Sequence, residues 1–376
     1  MKEKTISANS NKSSTRLAKP QQYLLSSETK SLFIISVFVY IILFALMIMS
    51  TINGGEYDLL IDKRLFNPDL TLPKFFEDFG QAVAWAMWGP AFAIIFLCRR
   101  DLNGCLAVIN RFIPAIKPVE NVGSKAYKTL NFILQAVESI GFFVLCGIGW
   151  KKLIENVTKN ILKNLDKENL SQLIYFIISY AVAATSIFLL SRMDKKRLKK
   201  LEGFALAGVL LGISFKIVEE CKSITHRVRF REMIAYSNGF FNAEGLSEGR
   251  YSPLTRQMIG DTDFGAFSPW YRKSFDSGIY DYHLFNRTDS FPSGHTTNAC
   301  MVLLSATVFG AYEKLKKFAP FILCLSVVFI GFMGYTRLIR GAHYLSDVVG
   351  AMIIGYTLFL VVNKIYTFCV KKIVAE

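Results

Sequence analysis

The chain has 376 residues, 52% of them hydrophobic, and its 44 lysines and arginines outnumber its 29 aspartates and glutamates to give a formal net charge of +15. A mean hydropathy of +0.33 is too apolar for an ordinary soluble protein, so the composition indicates a membrane protein. The basic residues lie at the ends of apolar runs and not on basic helices interleaved with aromatics, which argues against nucleic acid as a partner.

The first 30 residues are rich in Ser, Asn and Lys and predict a disordered cytoplasmic tail. Eight later runs are apolar and long enough to cross a hydrocarbon layer of ~30 Å. They lie at about 31–52, 80–98, 131–150, 172–191, 203–221, 296–312, 319–336 and 345–366. The sequence therefore predicts an all-α, polytopic membrane helix bundle. We divide it into an N-terminal region of four spans (31–200) and a C-terminal transmembrane domain (201–376).

Lysine and arginine clusters predict the orientation of these spans. Most of them fall on one side, together with the basic N-terminal tail, so we expect both termini to be cytoplasmic. The segment 151–171 is the exception, because it places five lysines on the other side. The stretch 222–294 is then an outer, extracytoplasmic loop. Its aromatic residues fit an interfacial lid or the core of a small folded loop equally well.

Two polar residues four positions apart follow the seventh predicted span. His343 and Asp347 lie at the start of an apparent helix, so the carboxylate can bond one ring nitrogen and fix the tautomer. The other nitrogen then carries an outward lone pair, as in an activated nucleophile whose attack on phosphorus would give a phosphohistidine. Taken alone, the pair fits better an interfacial histidine bonded to a neighbouring carbonyl.

A second group, Pro292-Ser293-Gly294-His295, opens the sixth predicted span. Ser293 is placed to cap a helix, which leaves the backbone N–H groups of Gly294 and His295 in the first turn as an anion site. Glycine lets the backbone approach phosphate oxygens closely. A protonated His295 could act as general acid to a leaving alkoxide.

Three cations map to the same face of the membrane as these two groups. Lys222, Arg229 and Arg337 can supply directed positive donors to the equatorial oxygens of a transferring phosphoryl group. The mixture of arginine forks and a lysine point charge favours a phosphate cradle over a carboxylate site. Each cation alone would be an ordinary membrane-flanking residue.

The motifs K-x6-R, PSGH and R-x5-H-x3-D occur in this order, which resembles the three-part signature of the type 2 phosphatidic acid phosphatase superfamily. That superfamily includes vanadium haloperoxidases and bacterial acid phosphatases, and the resemblance covers roughly residues 203–366. It implies a catalytic group that consists of His343 as nucleophile, Asp347 as its support and His295 as acid. It implies a phosphate-binding group that consists of Lys222, Arg229, Ser293, Gly294 and Arg337. It also implies a compact helical core and catalysis without a metal ion, and we expect no cofactor.

Two residues depart from the family pattern. Phe230 follows Arg229 where the family usually has proline, and Thr336 opens the third motif where serine is usual. Threonine keeps a hydroxyl of similar reach. The missing proline leaves open whether Arg227 or Arg231 substitutes for Arg229.

The sequence thus predicts an enzyme of the cell membrane that hydrolyses a phosphomonoester or diphosphate of a membrane lipid at the outer face. A phosphotransferase with the same residues stays open, because the two differ only in the exclusion of water. A transporter is the alternative from another class, since Glu138 is predicted in mid-span, where it marks either function or a helix–helix hydrogen bond. The halves show no symmetry that would support transport. The identity of the lipid and the oligomeric state stay open.

Overall fold

A computed structural model describes residues 30–98, 101–110, 113, 115–161, 169–239, 254–272, 289–311 and 315–374, so the predicted tail lies outside it except for Lys30. Every regular element in these ranges is helical, which confirms the predicted all-α class. The α-helices are α1 Lys30–Met49, α2 Glu56–Leu65, α3 Thr71–Phe79, α4 Ala82–Cys98, α5 Leu102–Asn110, α6 Lys125–Ile161, α7 Asn169–Ser191, α8 Lys195–Thr225, α9 Phe230–Ser237, α10 Gly294–Ala299, α11 Leu303–Ala311, α12 Ala319–Ile339 and α13 Leu345–Val374. The division into three regions stays a prediction.

Among the described residues, five helices are long and apolar enough to cross a membrane. They are Thr71–Cys98, Lys125–Thr158, Gln172–Ser191, Ala319–Ile339 and Leu345–Val362, and the bent pair Phe33–Met49 with Ile52–Leu65 would make a sixth. The predicted number of eight is not confirmed. The run 296–312 forms α10, a 3-10 turn and α11, none of which is long enough alone. The run 203–221 lies within α8 but is not among these candidate spans.

The surfaces of α6 and α7 carry large apolar side chains with no protein around them. Phe132 and Ile140 on α6, and Ile177 and Leu189 on α7, are all more than half exposed. Isolated apolar side chains are normal on a protein surface, but rows of them along long helices fit a lipid-facing surface. These helices therefore support the predicted membrane setting.

The bundle core lies where α8, α11, α12 and α13 meet. Leu211, Leu304, Met333 and Phe359, one from each helix, are buried there. A close approach of α8 to α4 extends it, because a Cβ at Gly212 would lie 2.6 Å from the ring of Trp88. The core fixes the relative positions of the ends of α8, α12 and α13, where the polar motifs lie.

A sharp bend between α1 and α2 brings the N-terminal region to that end of the bundle. The two helices meet at 81°, and Gly54 and Gly55 have φ values of +68° and +87°, which favour glycine. A Cβ at Gly55 would also lie 3.0 Å from Cβ of Pro269. Helix α2 contacts α12 and α13 as a result, and α3 contacts α12.

The described part of the outer loop has a small apolar core of its own. Phe230, Met233 and Leu254 are buried with Phe66 and Tyr344, which come from either side of the loop in sequence. This packing favours the folded-loop interpretation for the described residues. The aromatics Phe240, Phe241, Tyr251, Tyr280 and Tyr282 lie outside the described residues, so a lid built from them stays a prediction.

Candidate active site

The third motif lies at the junction between α12 and α13. Arg337 is in the last turn of α12, and both Arg337 and His343 are about 2% exposed. Gly341 turns the chain between them with a φ of +58°. A Cβ there would lie 2.8 Å from the ring of Phe66, so only glycine fits this turn without displacement of the ring.

The Nδ1 atom of His343 lies 2.7 Å from the backbone oxygen of Ser290. A carbonyl oxygen only accepts hydrogen bonds, so Nδ1 carries the proton and Nε2 keeps its lone pair. The predicted hydrogen bond from this ring to Asp347 is not present, because Nδ1 and Asp347 Oδ2 are 3.7 Å apart. The tautomer is the one predicted, but a backbone carbonyl fixes it.

The carboxylate of Asp347 is occupied by other donors. Arg227 Nη1 donates to Oδ1 at 2.6 Å, the Tyr344 N–H donates to Oδ2 at 2.8 Å, and the Ser290 hydroxyl also donates to Oδ2. Through Ser290, Asp347 holds the segment whose carbonyl orients His343. The backbone oxygen of Asp347 also accepts from the Ser293 N–H at 3.0 Å, which connects the second motif to the third.

Three cations act on His343. Burial lowers the pKa of His343 well below its usual value, and the charges of Arg229, Arg337 and Lys222 lower it further. These are the three cations predicted from the sequence, so the structure brings them together around this ring. Arg229 Nη2 lies 2.6 Å from Asp289 Oδ1, and Lys222 Nζ lies 3.9 Å from Asp289 Oδ2. One carboxylate therefore bridges two of the cations.

The arginines on either side of Arg229 have other partners. Arg227 is fully buried, and its Nη2 donates to Asp58 at 3.0 Å. Arg231 Nη1 donates to Glu77 at 2.7 Å. Of the three, Arg229 is the one that pairs with Asp289, the carboxylate that also approaches Lys222. The geometry thus supports the motif position and not a substitution by either neighbour.

The second motif begins a helix, as predicted. The Ser293 hydroxyl caps α10 and accepts from the Thr296 N–H at 3.4 Å. A Cβ at Gly294 would lie 3.4 Å from Nζ of Lys222, which places the lysine directly beside the glycine. The first and second motifs therefore meet here.

The imidazole of His295 is held by α3 and by the turn that follows it. Its Nε2 lies 3.1 Å from the backbone oxygen of Glu77, and its Nδ1 lies 3.1 Å from Nε2 of Gln81. Burial, with the charge of Arg337, lowers the pKa of His295 well below its usual value. The ring is therefore neutral here, in contrast to the protonated imidazole expected of a general acid.

The three guanidinium nitrogens of Arg337 differ in their contacts. Its Nη2 lies 3.3 Å from Glu77 Oε1. Its Nε and Nη1 are buried and have no hydrogen-bond partner within the part of the chain that the structure describes. Buried polar atoms are normally satisfied, so this pair of donors fits a bound anion.

Sequence reasoning missed the residues that support the motifs from outside them. They are Asp58, Glu77, Gln81, Asp289 and Ser290. The acidic residues at the edges of the first apolar runs could have drawn attention, because a charge near a membrane span needs a partner. Nothing in the sequence says which partner that is.

Neither a metal site nor a role for Glu138 emerges. No group of three or more His, Cys, Asp or Glu residues that could hold a metal ion occurs within the described ranges. Glu138 lies in α6 with a buried Oε2 that has no hydrogen-bond partner among the described residues. Metal-independent catalysis and a function for Glu138 stay predictions.

The lowered pKa values of His295 and His343 predict how stability depends on pH. Unfolded histidines take up protons near pH 6.5, whereas these buried rings do so only at lower pH. The unfolded state therefore binds more protons below pH 6.5, and the free energy of unfolding falls by up to about 1.4 kcal/mol per pH unit for each ring. Between pH 7.5 and 5, Tm of the detergent-purified chain should fall further than Tm of a His295→Asn, His343→Asn double variant. Equal falls in Tm for the parent and the double variant would contradict the lowered pKa values of these two rings.

Residues 260–371 match the family model of the PAP2 superfamily. The chain matches no curated protein and no solved structure. The matched segment includes the second and third motifs, whereas Lys222 and Arg229 precede it. It confirms the resemblance that the motifs carry, and residues 260–371 are similar to the PAP2 superfamily.

Proposed function

We propose that this protein is a membrane lipid phosphate phosphatase that uses His343 as its nucleophile. Members of the PAP2 superfamily are phosphatases and phosphoesterases, which supports a hydrolase. The apolar helices support a membrane setting and hence a lipid substrate. The proposed substrate is a phosphomonoester or diphosphate of a membrane lipid.

One observation carries this proposal. Arg337 presents two buried nitrogen donors without a partner among the described residues, close enough to His343 to lower the pKa of its ring. An unsatisfied buried donor costs about 1 to 3 kcal/mol, and more when it is charged. Phosphate oxygens accept readily from a guanidinium, and we infer that a phosphate held there reaches the lone pair of the histidine.

Asp289 supports the same site for the anion. Its carboxylate pairs with Arg229 and approaches Lys222, yet its side chain is 46% exposed. A carboxylate at the surface can turn to solvent when a dianion arrives. We infer that a substrate phosphate replaces Asp289 between these two cations.

The first step breaks the phosphate ester. The lone pair on His343 Nε2 forms a bond to phosphorus, and the bond from phosphorus to the lipid oxygen breaks as that oxygen takes a proton from His295. His295 must gain this proton on binding, and the negative charge of the bound phosphate favours that because it offsets the positive charge of Arg337. The phosphorylated ring keeps the proton on Nδ1, which still donates to the backbone oxygen of Ser290.

The second step releases phosphate. A water molecule gives a proton to His295, which is neutral after the first step, and its oxygen attacks phosphorus. The bond from phosphorus to His343 Nε2 breaks, and His295 loses its proton as phosphate leaves, which restores the free enzyme. A lipid hydroxyl in place of water would make the protein a phosphotransferase, so the first experiment below separates the two acceptors.

The helices support an extracytoplasmic site. Helix α8 begins in the basic block 192–200 and ends beside Lys222, after 31 residues or roughly 45 Å. Helix α12 starts just after Lys317 and ends at the third motif. The basic clusters and the site thus lie at opposite ends of both helices, and basic clusters favour the cytoplasmic side.

Phosphate release from lipids tests the proposal. The detergent-purified protein, in EDTA, should release phosphate from at least one of phosphatidate, phosphatidylglycerophosphate, a polyprenyl diphosphate and a lipid A phosphate. His343→Ala should lower the rate about 10³-fold or more, because no other residue can form the bond to phosphorus. Release that persists in the variant would contradict the role of His343, and loss of release in EDTA would contradict metal-independent catalysis. Transfer to another lipid without release would establish the phosphotransferase.

Replacement of Arg337 tests the phosphate cradle. Arg337→Lys keeps the charge but loses the planar fork, so kcat/KM should fall about 10²-fold. Arg256→Lys is a matched control, because Arg256 is an exposed residue of the outer loop that donates to the backbone oxygen of Arg64 in α2. Its kcat/KM should stay within about 2-fold of the parent. Equal kinetics for the two variants would remove Arg337 from the substrate site.

A further inference from the structure

Helix α3 precedes the PAP2 segment in sequence, yet its residues contact the third motif. Glu77 Oε1 lies 2.7 Å from Arg231 Nη1 and 3.3 Å from Arg337 Nη2, and Oε2 accepts from Arg340 Nε at 2.8 Å. The Glu77 side chain is only 9% exposed. It therefore fixes the guanidinium of Arg337 through one nitrogen and leaves the two unpaired nitrogens for an anion.

Glu77 of α3 and Gln81, in the turn that follows α3, hold the two ring nitrogens of His295. The Glu77 carbonyl can only accept, so His295 Nε2 carries a proton, and Nδ1 of the neutral ring accepts from the amide of Gln81. These two contacts fix the plane and the tautomer of the ring. His295 is the residue that must give a proton to the leaving oxygen in the proposed reaction.

Close packing makes α3 a firm support. A Cβ at Gly80 would clash with Met333 of α12, so no larger residue allows this approach without displacement. Phe76 of α3 packs edge-to-face on Phe332 of α12, with ring centroids 5.0 Å apart. Helix α3 is thereby fixed to the helix that carries Arg337.

We propose that Gln81 and Glu77 are positioning residues for the reaction at His343. Gln81 holds the neutral ring of His295, and Glu77 holds the guanidinium of Arg337. Glutamine suits this role because its uncharged amide nitrogen can donate to Nδ1 of the neutral ring and releases Nδ1 when that atom takes up the proton for the leaving oxygen. The inference rests on the proposed phosphatase function and extends its site into the N-terminal region.

Other charges around His295 stay in place when Gln81 is replaced. The charged and titratable groups on the elements packed around this ring are Glu77 of α3, Lys222 of α8, Arg337 of α12, His343 before α13 and Asp347 of α13. A change in pH dependence on substitution of Gln81 therefore reports its own contact with the ring.

Kinetics of the full chain on phosphatidate, or on whichever lipid of the panel is cleaved fastest, test Gln81. Gln81→Leu should lower kcat about 10- to 100-fold and change KM by less than about 2-fold, since it disturbs the acid and not the phosphate cradle. Gln81→Glu should shift the alkaline limb of the kcat profile up by about 1 pH unit, because a carboxylate favours the protonated ring. Gln172→Leu, at an exposed position of α7, is the matched control and should behave as the parent. An unchanged kcat and pH profile in both Gln81 variants would overturn the proposal.

Glu77 is tested by Glu77→Gln, with the exposed Glu56→Gln as control. Loss of the charge should free the Arg337 guanidinium and lower kcat/KM about 10-fold or more. Comparison of Tm shows whether the variant is folded at the assay temperature. A folded Glu77→Gln variant with parental kcat/KM would overturn this part of the proposal.

A second measurement does not depend on activity. The chain has four histidines, so ¹⁵N-labelled imidazoles can be followed by NMR in detergent and assigned by substitution. The His295 signal should report the Nε2–H tautomer in the parent and titrate at higher pH in Gln81→Glu. A parent that cleaves no lipid of the panel, with this NMR result, contradicts the proposed function and leaves the contact supported. A His295 signal that is the same in the parent and in both Gln81 variants would contradict the contact itself.

Discussion

Buried arginines need anionic partners, and these partners connect α2 and α3 with the C-terminal helices. Arg227 is fully buried and pairs with Asp58 and Asp347, while Glu77 meets Arg231 and Arg337. Removal of one partner from a buried ion pair typically costs about 3 to 5 kcal/mol, because the other charge is left in a medium that solvates it poorly. Helices α2 and α3 are therefore held against α12 and α13 by charge as well as by packing.

The same charges set the protonation of the site. His295 and His343 are neutral because burial and nearby arginines oppose a proton on either ring. A neutral His343 is ready as a nucleophile, whereas a neutral His295 is not ready as an acid. The proposed mechanism resolves this difference through the substrate, whose negative charge favours protonation of His295 only when phosphate is bound. Proton transfer is thus coupled to binding.

Local patterns were enough to predict the motif residues but not their supports. The capping position of Ser293, the turn at Gly341 and the separation of His343 from Asp347 depend on neighbours in sequence. The partner of His343 Nδ1 proved to be the Ser290 carbonyl, and a backbone atom leaves no mark on the sequence. Asp58, which pairs with Arg227, and Glu77, which pairs with Arg337, lie more than 150 residues away from them, a distance over which spacing carries no information. Hydropathy alone also could not predict the number of spans, because the sixth run is divided by a 3-10 turn at Cys300–Val302.

The central claim is a covalent bond between phosphorus and Nε2 of His343. The most direct measurement is rapid alkaline quench of the protein during turnover of a ³²P-labelled lipid phosphate, followed by mass spectrometry of the peptide that contains His343. The account predicts a phosphoryl group on His343 that decays at the rate of phosphate release. Turnover with no phosphoryl group on His343, or with the label on another residue, would contradict it.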